Sequence, residues 1–569
     1  MDEYLWLVIL GGGFAFLASM GIGANDAANA FATSVGAKTL KLWHAILIAA
    51  IFEFSGAFLM GSHVSKTIRK GITSASNFED EPEKLLLGMF CVLVSVCAWL
   101  ALATKYELPV STTHTAIGGI LGMTLVAEGS DAIVWDKVIM VVTSWFISPL
   151  MSGACGLVIM FVLSTFFLRP YTFLSGWFKE PFNRSLAFFP VLMGITFGIQ
   201  TFFIIYKGSP QLKLKTTPLW LASLVSLAVA TVTGLISIAF VPYLKRISEW
   251  RFKKNKLDLL SKKIKKLSAP REMSEVMEGS ETESKSDNPE SSPETTEEEL
   301  KKLRTLQSEL KESLETSCFE TLNSCTTKLE NDLERGFEKV KSTTNVLSKK
   351  LQLGLTLPEN DRDMYGVIDT NNDVKNIHNN VERFCPKAET CFSYLQVISA
   401  CIDSFGHGAN DVANAISPFA AMLAIYLNDS VSKKADTPIW VLAMGGLGIV
   451  IGLALFGQYI IRAIGVKLVA ITPSRGFTAE ISSSIVVILA ARLGIPVSTT
   501  HCQVGAEVGI GLLESASKGE DGKRHCTVHR AINWKQLIVI FFGWVITLVI
   551  SGATAGGLFA LLYYSPGSN

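Results

Sequence analysis

The sequence predicts an all-α polytopic membrane protein of about twelve membrane segments, arranged as two inverted repeats with paired helical hairpins. Three observations predict it. Runs of about 20 mostly apolar residues recur along the chain, long enough to cross a hydrocarbon core as helices. Charged residues make up only 18% of the 569 residues, and mean hydropathy is +0.36. Two unlike polar words each occur twice, in the same order. Gly23-Ala24-Asn25-Asp26-Ala27-Ala28-Asn29-Ala30 returns 385 residues on as Gly408-Ala409-Asn410-Asp411-Val412-Ala413-Asn414-Ala415. Pro109-Val110-Ser111-Thr112-Thr113-His114 returns 387 residues on as Pro496-Val497-Ser498-Thr499-Thr500-His501. An internal duplication is the simplest account.

The apolar segments run over 5–36, 43–62, 85–104, 110–127, 138–168, 186–206 and 219–242, then 395–426, 438–465, 477–492, 497–513 and 534–563. The links between 104 and 110, and between 492 and 497, are so short that each flanking pair forms a hairpin. The first segment lacks a basic leader and is expected to stay as a span. The chain then reads as an N-terminal membrane repeat (1–242), a hydrophilic region (243–394) and a C-terminal membrane repeat (395–569).

Flanking charge orients these segments. Lys245, Arg246, Arg251, Lys253, Lys254 and Lys256 follow the seventh segment and mark the cytoplasmic side. Counting back places the N-terminus outside, with Glu128, Asp131 and Asp136, and places Arg169 and Arg184 inside. Counting forward places Lys518, Lys523, Arg524 and Arg530 inside and the C-terminus outside; Lys207, Lys213 and Lys215 run against the scheme. The two Asn-Asp words therefore enter the bilayer from opposite sides. That inversion is the architecture from which many alternating-access transporters are built.

Residues 243–394 read as a cytoplasmic, largely disordered loop. The tract 272–299 is rich in Glu, Ser, Thr and Pro. Leu303, Leu306, Leu310 and Leu314 recur at helical spacing and predict an amphipathic stretch, lying on the loop or membrane surface or docking a partner. Ten cysteines show no zinc-type spacing. Asn428 heads the one sequon placed outside, Asn428-Asp429-Ser430, and is the candidate N-glycosylation site. Net charge is +1, which gives no ground for a nucleic-acid partner.

The polar words carry the chemistry. A carboxylate in hydrocarbon is costly and marks a functional site by default. Asn25, Asp26 and Asn29 stand among glycines and alanines, as do Asn410, Asp411 and Asn414. Small neighbours allow close approach of a ligand or a helix, and amide and carboxylate oxygens suit a small hard cation. Ser111, Thr112 and Thr113 are expected in the first turn of a helix, and Ser498, Thr499 and Thr500 likewise. Two such starts, with free N–H groups and six hydroxyls, suit a tetrahedral oxyanion. Taken singly, either word could be helix glue or an ordinary N-cap. His114 and His501 end the second word; they either pack between helices or contact substrate or a proton. Glu53 and Glu480 are two further acids in apolar sequence, at positions the repeat does not equate: Glu53 aligns near Ile449 and Glu480 near Leu93. His407 stands where the first half has Ile22.

The duplicated Gly-Ala-Asn-Asp-(Ala or Val)-Ala-Asn-Ala word and the paired Pro-Val-Ser-Thr-Thr-His words resemble the inorganic phosphate transporter (PiT) family. Phe52-Glu53, Lys66-Thr67-Ile68-Arg69-Lys70-Gly71 and Gly476-Phe477-Thr478-Ala479-Glu480 match as well. The resemblance covers 1–245 and 392–565, and the long central loop is similar to that of eukaryotic members. Ala27 departs from the usual Val, which Val412 keeps. The resemblance implies a sodium- or proton-coupled phosphate symporter rather than an enzyme, with no cofactor beyond the co-transported ion. It implies phosphate contacts from Ser111, Thr112, Thr113, Ser498, Thr499 and Thr500 with Asp26 and Asp411. It implies sodium contacts from Asn25, Asp26, Asn29, Asn410, Asp411 and Asn414, and coupling roles for Glu53 and Glu480. The expected partners are inorganic phosphate, sodium and the lipid bilayer, with a homodimer as the candidate assembly and the plasma membrane as the location. The rival readings are a proton-coupled or other oxyanion symporter, a channel or sensor-receptor, and an intramembrane enzyme.

Overall fold

The computed structural model describes residues 2–69, 73, 75–170, 180–207, 217–268, 361–431, 437–493, 497–515 and 531–565. The amphipathic stretch expected after residue 302 lies outside these. The chain divides into two compact units, Met1–Val241 with Lys341–Asn569, and Pro242–Val340. Both polar words lie in the first.

The first unit is helical, and no β-strand forms among the described residues. Its N-terminal half contains α1 (Leu5–Ile22), a π-turn (Gly23–Ala27), α2 (Ala28–Gly36), α3 (Leu42–Arg69), α4 (Pro82–Lys105), α5 (Thr112–Glu128), α6 (Trp135–Leu163) and α7 (Pro181–Lys207). Helix α8 (Leu219–Ser268) runs on into the second unit. The C-terminal half contains α9 (Asp361–Thr370), α10 (Asn372–Asn380), α11 (Pro386–Asn428), α12 (Ile439–Gly465), α13 (Pro473–Leu493), α14 (Thr499–Ser515) and α15 (Trp534–Tyr563).

All twelve expected segments fall on helices, but eight, not twelve, are both long and apolar enough to span a membrane among the described residues. The four outside that set are α5, α11, α13 and α14, and α13 carries Arg475, Glu480 and Arg492 within its 21 residues. Helices α5 and α14 have 17 residues each, below the roughly 20 a full crossing needs. Helix α11 is 43 residues long, but the buried polar word lowers its hydropathy. The expected hairpins are present as α4–α5 and α13–α14.

The halves interlock through glycines. A Cβ added at Gly122 of α5 would lie 2.0 Å from the Gly552 carbonyl oxygen of α15. At the equivalent Gly509 of α14 it would lie 1.9 Å from the Gly153 oxygen of α6. Each hairpin thus packs its second helix on a helix of the other half, α5 on α15 and α14 on α6, by small-residue contact. The Asn-Asp words repeat the exchange. A Cβ at Gly23 would lie 1.8 Å from the Ile449 oxygen, and one at Gly408 would lie 2.1 Å from the Glu53 oxygen. Equivalent glycines meeting equivalent partners show that the sequence duplication is a structural two-fold.

The segment ends sort onto two sides of the unit. On one side the Lys84 ammonium lies 2.7 Å from Glu128, and Tyr563 donates to Glu81. On the other, Tyr365 donates to the Val35 carbonyl, His378 lies 3.0 Å from the Val466 oxygen, and Arg169 pairs with Glu382 at 2.9 Å. The last part of the hydrophilic region is therefore folded against the bundle through α9 and α10.

Replacing Gly509 by alanine is expected to destabilise the protein by about 1–3 kcal/mol, because backbone meets the new methyl. Gly557→Ala, with nothing within 4 Å, should stay within about 1 kcal/mol of neutral or above it. Thermal unfolding of both variants in detergent checks the contrast, and equal melting temperatures would count against the interlock.

Candidate functional site

The two words of each half meet those of the other. The π-turn between α1 and α2 carries Asn25 and Asp26, and Asn29 follows in α2. A π-turn widens the helix at one point, and such turns are frequent at functional sites. The second copy lies in the continuous helix α11. At α5 and α14 the serines stand outside the helix. Ser111 and Ser498 accept the His114 and His501 backbone N–H at 3.2 and 3.4 Å. They are N-caps, so the first helical turns begin with Thr112-Thr113 and Thr499-Thr500. This corrects the expectation that the serines sit inside the first turn.

Asp26 is fully buried and well supplied with donors. Thr112 Oγ1 donates to Oδ2 at 2.5 Å, and Thr500 Oγ1 donates to Oδ1 at 2.5 Å. Asn29 Nδ2 donates to Oδ1 at 2.9 Å and to Thr500 Oγ1 at 2.8 Å. The other half reciprocates. Asn414 Nδ2 donates to Asp411 Oδ1 at 3.2 Å, to Thr112 Oγ1 at 2.9 Å and to Thr113 Oγ1 at 3.2 Å. Thr499 Oγ1 lies within reach of both carboxylates, 3.4 Å from Asp26 and 3.2 Å from Asp411. Each Asn-Asp word is thus held by the threonines of the opposite hairpin.

The expected site residues separate into three groups. Asp26, Asn29, Asp411, Asn414, Thr112, Thr113, Thr499 and Thr500 converge, and Asn410 joins by donating to Asp411 at 3.2 Å. Asn25 turns away to the α4–α5 link. Its Oδ1 accepts from the Val110 N–H at 2.9 Å, and its Nδ2 donates to the Leu108 carbonyl at 2.9 Å and to Thr104 at 3.3 Å. In the same link Glu107 pairs with Arg462 and Lys467 at the end of α12. His114 and His501 lie behind the threonines. Trp145 donates to His114 Nε2 at 3.1 Å, the two imidazoles are 4.8 Å apart, and His501 stacks on Trp544 at 3.9 Å.

The two coupling candidates are placed differently. Glu53 joins the centre through His407, whose Nδ1 lies 3.1 Å from Glu53 Oε1. His407 Nε2 lies 2.9 Å from Asp411 Oδ2 and 3.7 Å from Asp26 Oδ1. One imidazole therefore faces three carboxylates, all buried. Asp26, His407 and Asp411 also have ligand atoms within 4.8 Å of one another. Glu480 stands apart. It accepts from Thr33 at 2.7 Å, from Ser34 at 3.1 Å and from Ser399.

Sequence reasoning flagged His407 as an asymmetry without a role, and it passed over two acids. Asp403, one turn before His407, accepts from Ser484 at 3.0 Å, and buried Glu507 accepts from Gln503 at 3.3 Å. The four-residue spacing of Asp403, His407 and Asp411 was the available signal for the first. The candidate glycosylation residue Asn428 is exposed at the end of α11, where its amide donates to the Ala424 carbonyl.

A helical bundle with spanning segments, folded around buried carboxylates and opposed helix starts, is an integral membrane transport protein in class. The comparisons with known proteins make this specific. Residues 22–555 match the family model described as the Phosphate transporter family. The phosphate-repressible phosphate permease of Neurospora crassa is 29% identical, over 100% of this chain and 99% of its own. Sodium-dependent phosphate transporter 1 of Homo sapiens is 30% identical, over 99% of this chain and 96% of its own. A solved structure titled as the sodium-dependent phosphate transporter superposes with a TM-score of 0.64 at 25% identity, covering 99% of this chain and all of that one. The chain belongs to the phosphate transporter family.

The split between Asn25 and Asn410 gives a test. Asn25→Ala should cost about 1–3 kcal/mol of stability by leaving the buried Val110 N–H and Leu108 carbonyl unpaired. Asn410→Ala, which removes one 3.2 Å contact, should cost less. Thermal melts of the two variants decide, and a reversed order would refute the assignment of Asn25 to the hairpin link.

Proposed function

We propose that the protein is a sodium-coupled symporter that imports inorganic phosphate by alternating access. The observation that carries this reading is the reciprocal pairing of each Asn-Asp word with the other half's threonine helix start. It puts cation-type ligands and anion-type donors in one buried place. Asp26 and Asp411 supply hard oxygens for sodium, with Asn29, Asn410 and Asn414 beside them, each donating its amide nitrogen to one of these carboxylates. Thr112, Thr113, Thr499 and Thr500, at the N-termini of α5 and α14, supply hydroxyls and helix-end N–H groups for phosphate. Carboxylates beside an anion repel it until cations arrive, so cation and anion binding favour each other. Glu53 acts on this centre through His407; Glu480 acts from its own hydroxyl-lined place.

In this reading both termini lie outside, residues 243–394 are cytoplasmic, and the plasma membrane is the location. The alternation of the segments, on which this placement rests, draws support from the sorting of segment ends. The α2, α6 and α12 ends share one side, and the Glu81, Glu128 and Tyr563 ends share the other, as the charge scheme requires.

A second reading, proton coupling on the same scaffold, is favoured by one observation. His407 faces carboxylates with both ring nitrogens, and only the doubly protonated ring donates from both.

Uptake of labelled phosphate into proteoliposomes under an imposed sodium gradient separates these readings. Sodium-dependent accumulation is expected, and Asp26→Asn and Asp411→Asn should each reduce it about 10- to 100-fold, the equivalent of about 1.5–3 kcal/mol for a charged hydrogen-bond acceptor. Undiminished uptake in both variants would refute the site. Uptake that survives replacement of sodium by choline but collapses with the pH gradient would give coupling to protons.

A further inference from the structure

We infer that Glu107, Arg462 and Lys467 form a gate on the side of the unit that carries α9 and α10. They are an ion-pair lock that closes the first hairpin against the opposite half and parts to open the site. Glu107 lies in the α4–α5 link, at the tip of the N-terminal hairpin. Arg462 stands in the last turn of α12 and Lys467 just beyond it, both in the C-terminal half. One carboxylate, paired with both cations, therefore joins the halves. Val466, between the two cations in sequence, fixes the side: its carbonyl oxygen lies 3.0 Å from His378 of α10.

The backbone sets Glu107 apart. Its φ is +55°, in the left-handed region that favours glycine. The repeat supplies the comparison. By the 387-residue offset of the Pro-Val-Ser-Thr-Thr-His words, Glu107 corresponds to Gly494. Glycine suits such a turn, and the first half carries a carboxylate there instead. Strain of this kind persists only where the surroundings hold it, and it gathers at switch regions. Here two cations hold it. Glycine has no charge to pair, so the equivalent position of the second hairpin cannot form this lock.

The contacts around the lock differ in how readily they part. The end of α12 packs backbone to backbone on α2. A Cβ at Gly465 would lie 2.1 Å from the Ala32 oxygen, and one at Gly36 would lie 2.2 Å from the Gly465 oxygen. The side chains of Glu107, Arg462 and Lys467 are instead 20%, 25% and 24% exposed. Pairs that water reaches are individually weak and screened by salt. Behind them the link borders the site. The Val110 N–H donates at 2.9 Å to Asn25, the neighbour of Asp26, and the Val110 carbonyl accepts from Thr500 at 3.5 Å. Parting Glu107 from α12 thus frees the stretch of chain that touches Asn25 and Thr500, while α2 and α12 stay together. That phosphate passes when the lock parts rests on the proposed function.

The test is labelled-phosphate uptake into proteoliposomes by the full-length protein carrying Glu107→Cys with Arg462→Cys, joined by a short, reducible bis-thiosulfonate. Mass spectrometry follows the joining, and the parent and single variants, treated alike, account for the ten native cysteines. Joining should reduce uptake about tenfold or more, and reduction should restore it. A joined protein that transports like the unjoined one would overturn the gate, as would a folded double variant that the reagent cannot join. Glu107→Gly is the second variant, because glycine suits the backbone and removes the lock. Its melting temperature should stay near the parent's. Its KM for phosphate taken up from the opposite face should rise about three- to tenfold with the maximal rate retained, because fewer molecules then rest open to that face. A residue that only holds the fold would lower the maximal rate instead, and an unchanged KM overturns the proposal. If the double variant fails to fold, Glu107→Gly decides alone. A transporting parent with neither effect sinks the gate and leaves the symporter reading standing; a parent without phosphate uptake sinks both.

Discussion

The structure depends on one exchange: the Asn-Asp word of each half reaches the threonines that open the other half's hairpin helix, the first through Thr500 and the second through Thr112 and Thr113. A buried carboxylate is tolerable only when its lone pairs are satisfied. Asp26 meets that condition with Thr112 of its own half and Thr500 of the other. Asn414 completes the exchange by binding Thr112 and Thr113. Neither half supplies this arrangement alone. The glycine contacts follow from the same need, since the helices must approach closely for short threonine side chains to reach across. Gly122 against Gly552 and Gly509 against Gly153 bring α5 onto α15 and α14 onto α6, each in the opposite half.

The two-fold is broken where the chemistry is concentrated. Gly408 meets the backbone of Glu53, and Gly23 meets that of Ile449, so an acid and an alkyl chain occupy equivalent places. Opposite Glu53 stands His407, and the equivalent position in the first half is Ile22. These two departures belong together: a third buried acid beside Asp26 and Asp411 is matched by the one residue there able to carry positive charge. The first copy's π-turn and the second copy's continuous helix are a further departure. It explains the divergent fates of Asn25, committed to the hairpin link, and Asn410, left beside Asp411.

Much of this was legible in the sequence. Apolar runs located α1 to α8 and α11 to α15, though not α9 and α10 in the hydrophilic region, and the repeated words located the centre of the site. Legibility failed where distance along the chain hides proximity. Glu53 and His407 are 354 residues apart, and no spacing rule joins them. The serines of the second word were expected inside the first turn because capping and ligand binding use the same residue types at a helix start. Asp403 escaped notice because its four-residue spacing from His407 and Asp411 carries meaning only once that stretch is known to be one continuous helix. Full crossings are not distinguished from shorter membrane segments by hydropathy alone, which responds to composition. Helices α5 and α14 are apolar without being long, and α11 is long without being uniformly apolar.

Within the proposed function, the donor arithmetic of the site implies an order of events. Each threonine hydroxyl has one proton to give, and Thr112, Thr499 and Thr500 direct theirs at Asp26 and Asp411. A phosphate entering between the helix starts needs those same protons. It can have them only if the carboxylates are satisfied by something else. Sodium ions on the carboxylate oxygens do that, and they offset the local negative charge as well. The hydroxyls then turn from carboxylate to phosphate without moving their helices. Cation binding therefore creates the anion site by releasing its donors, a route to coupling that follows from hydrogen-bond counting.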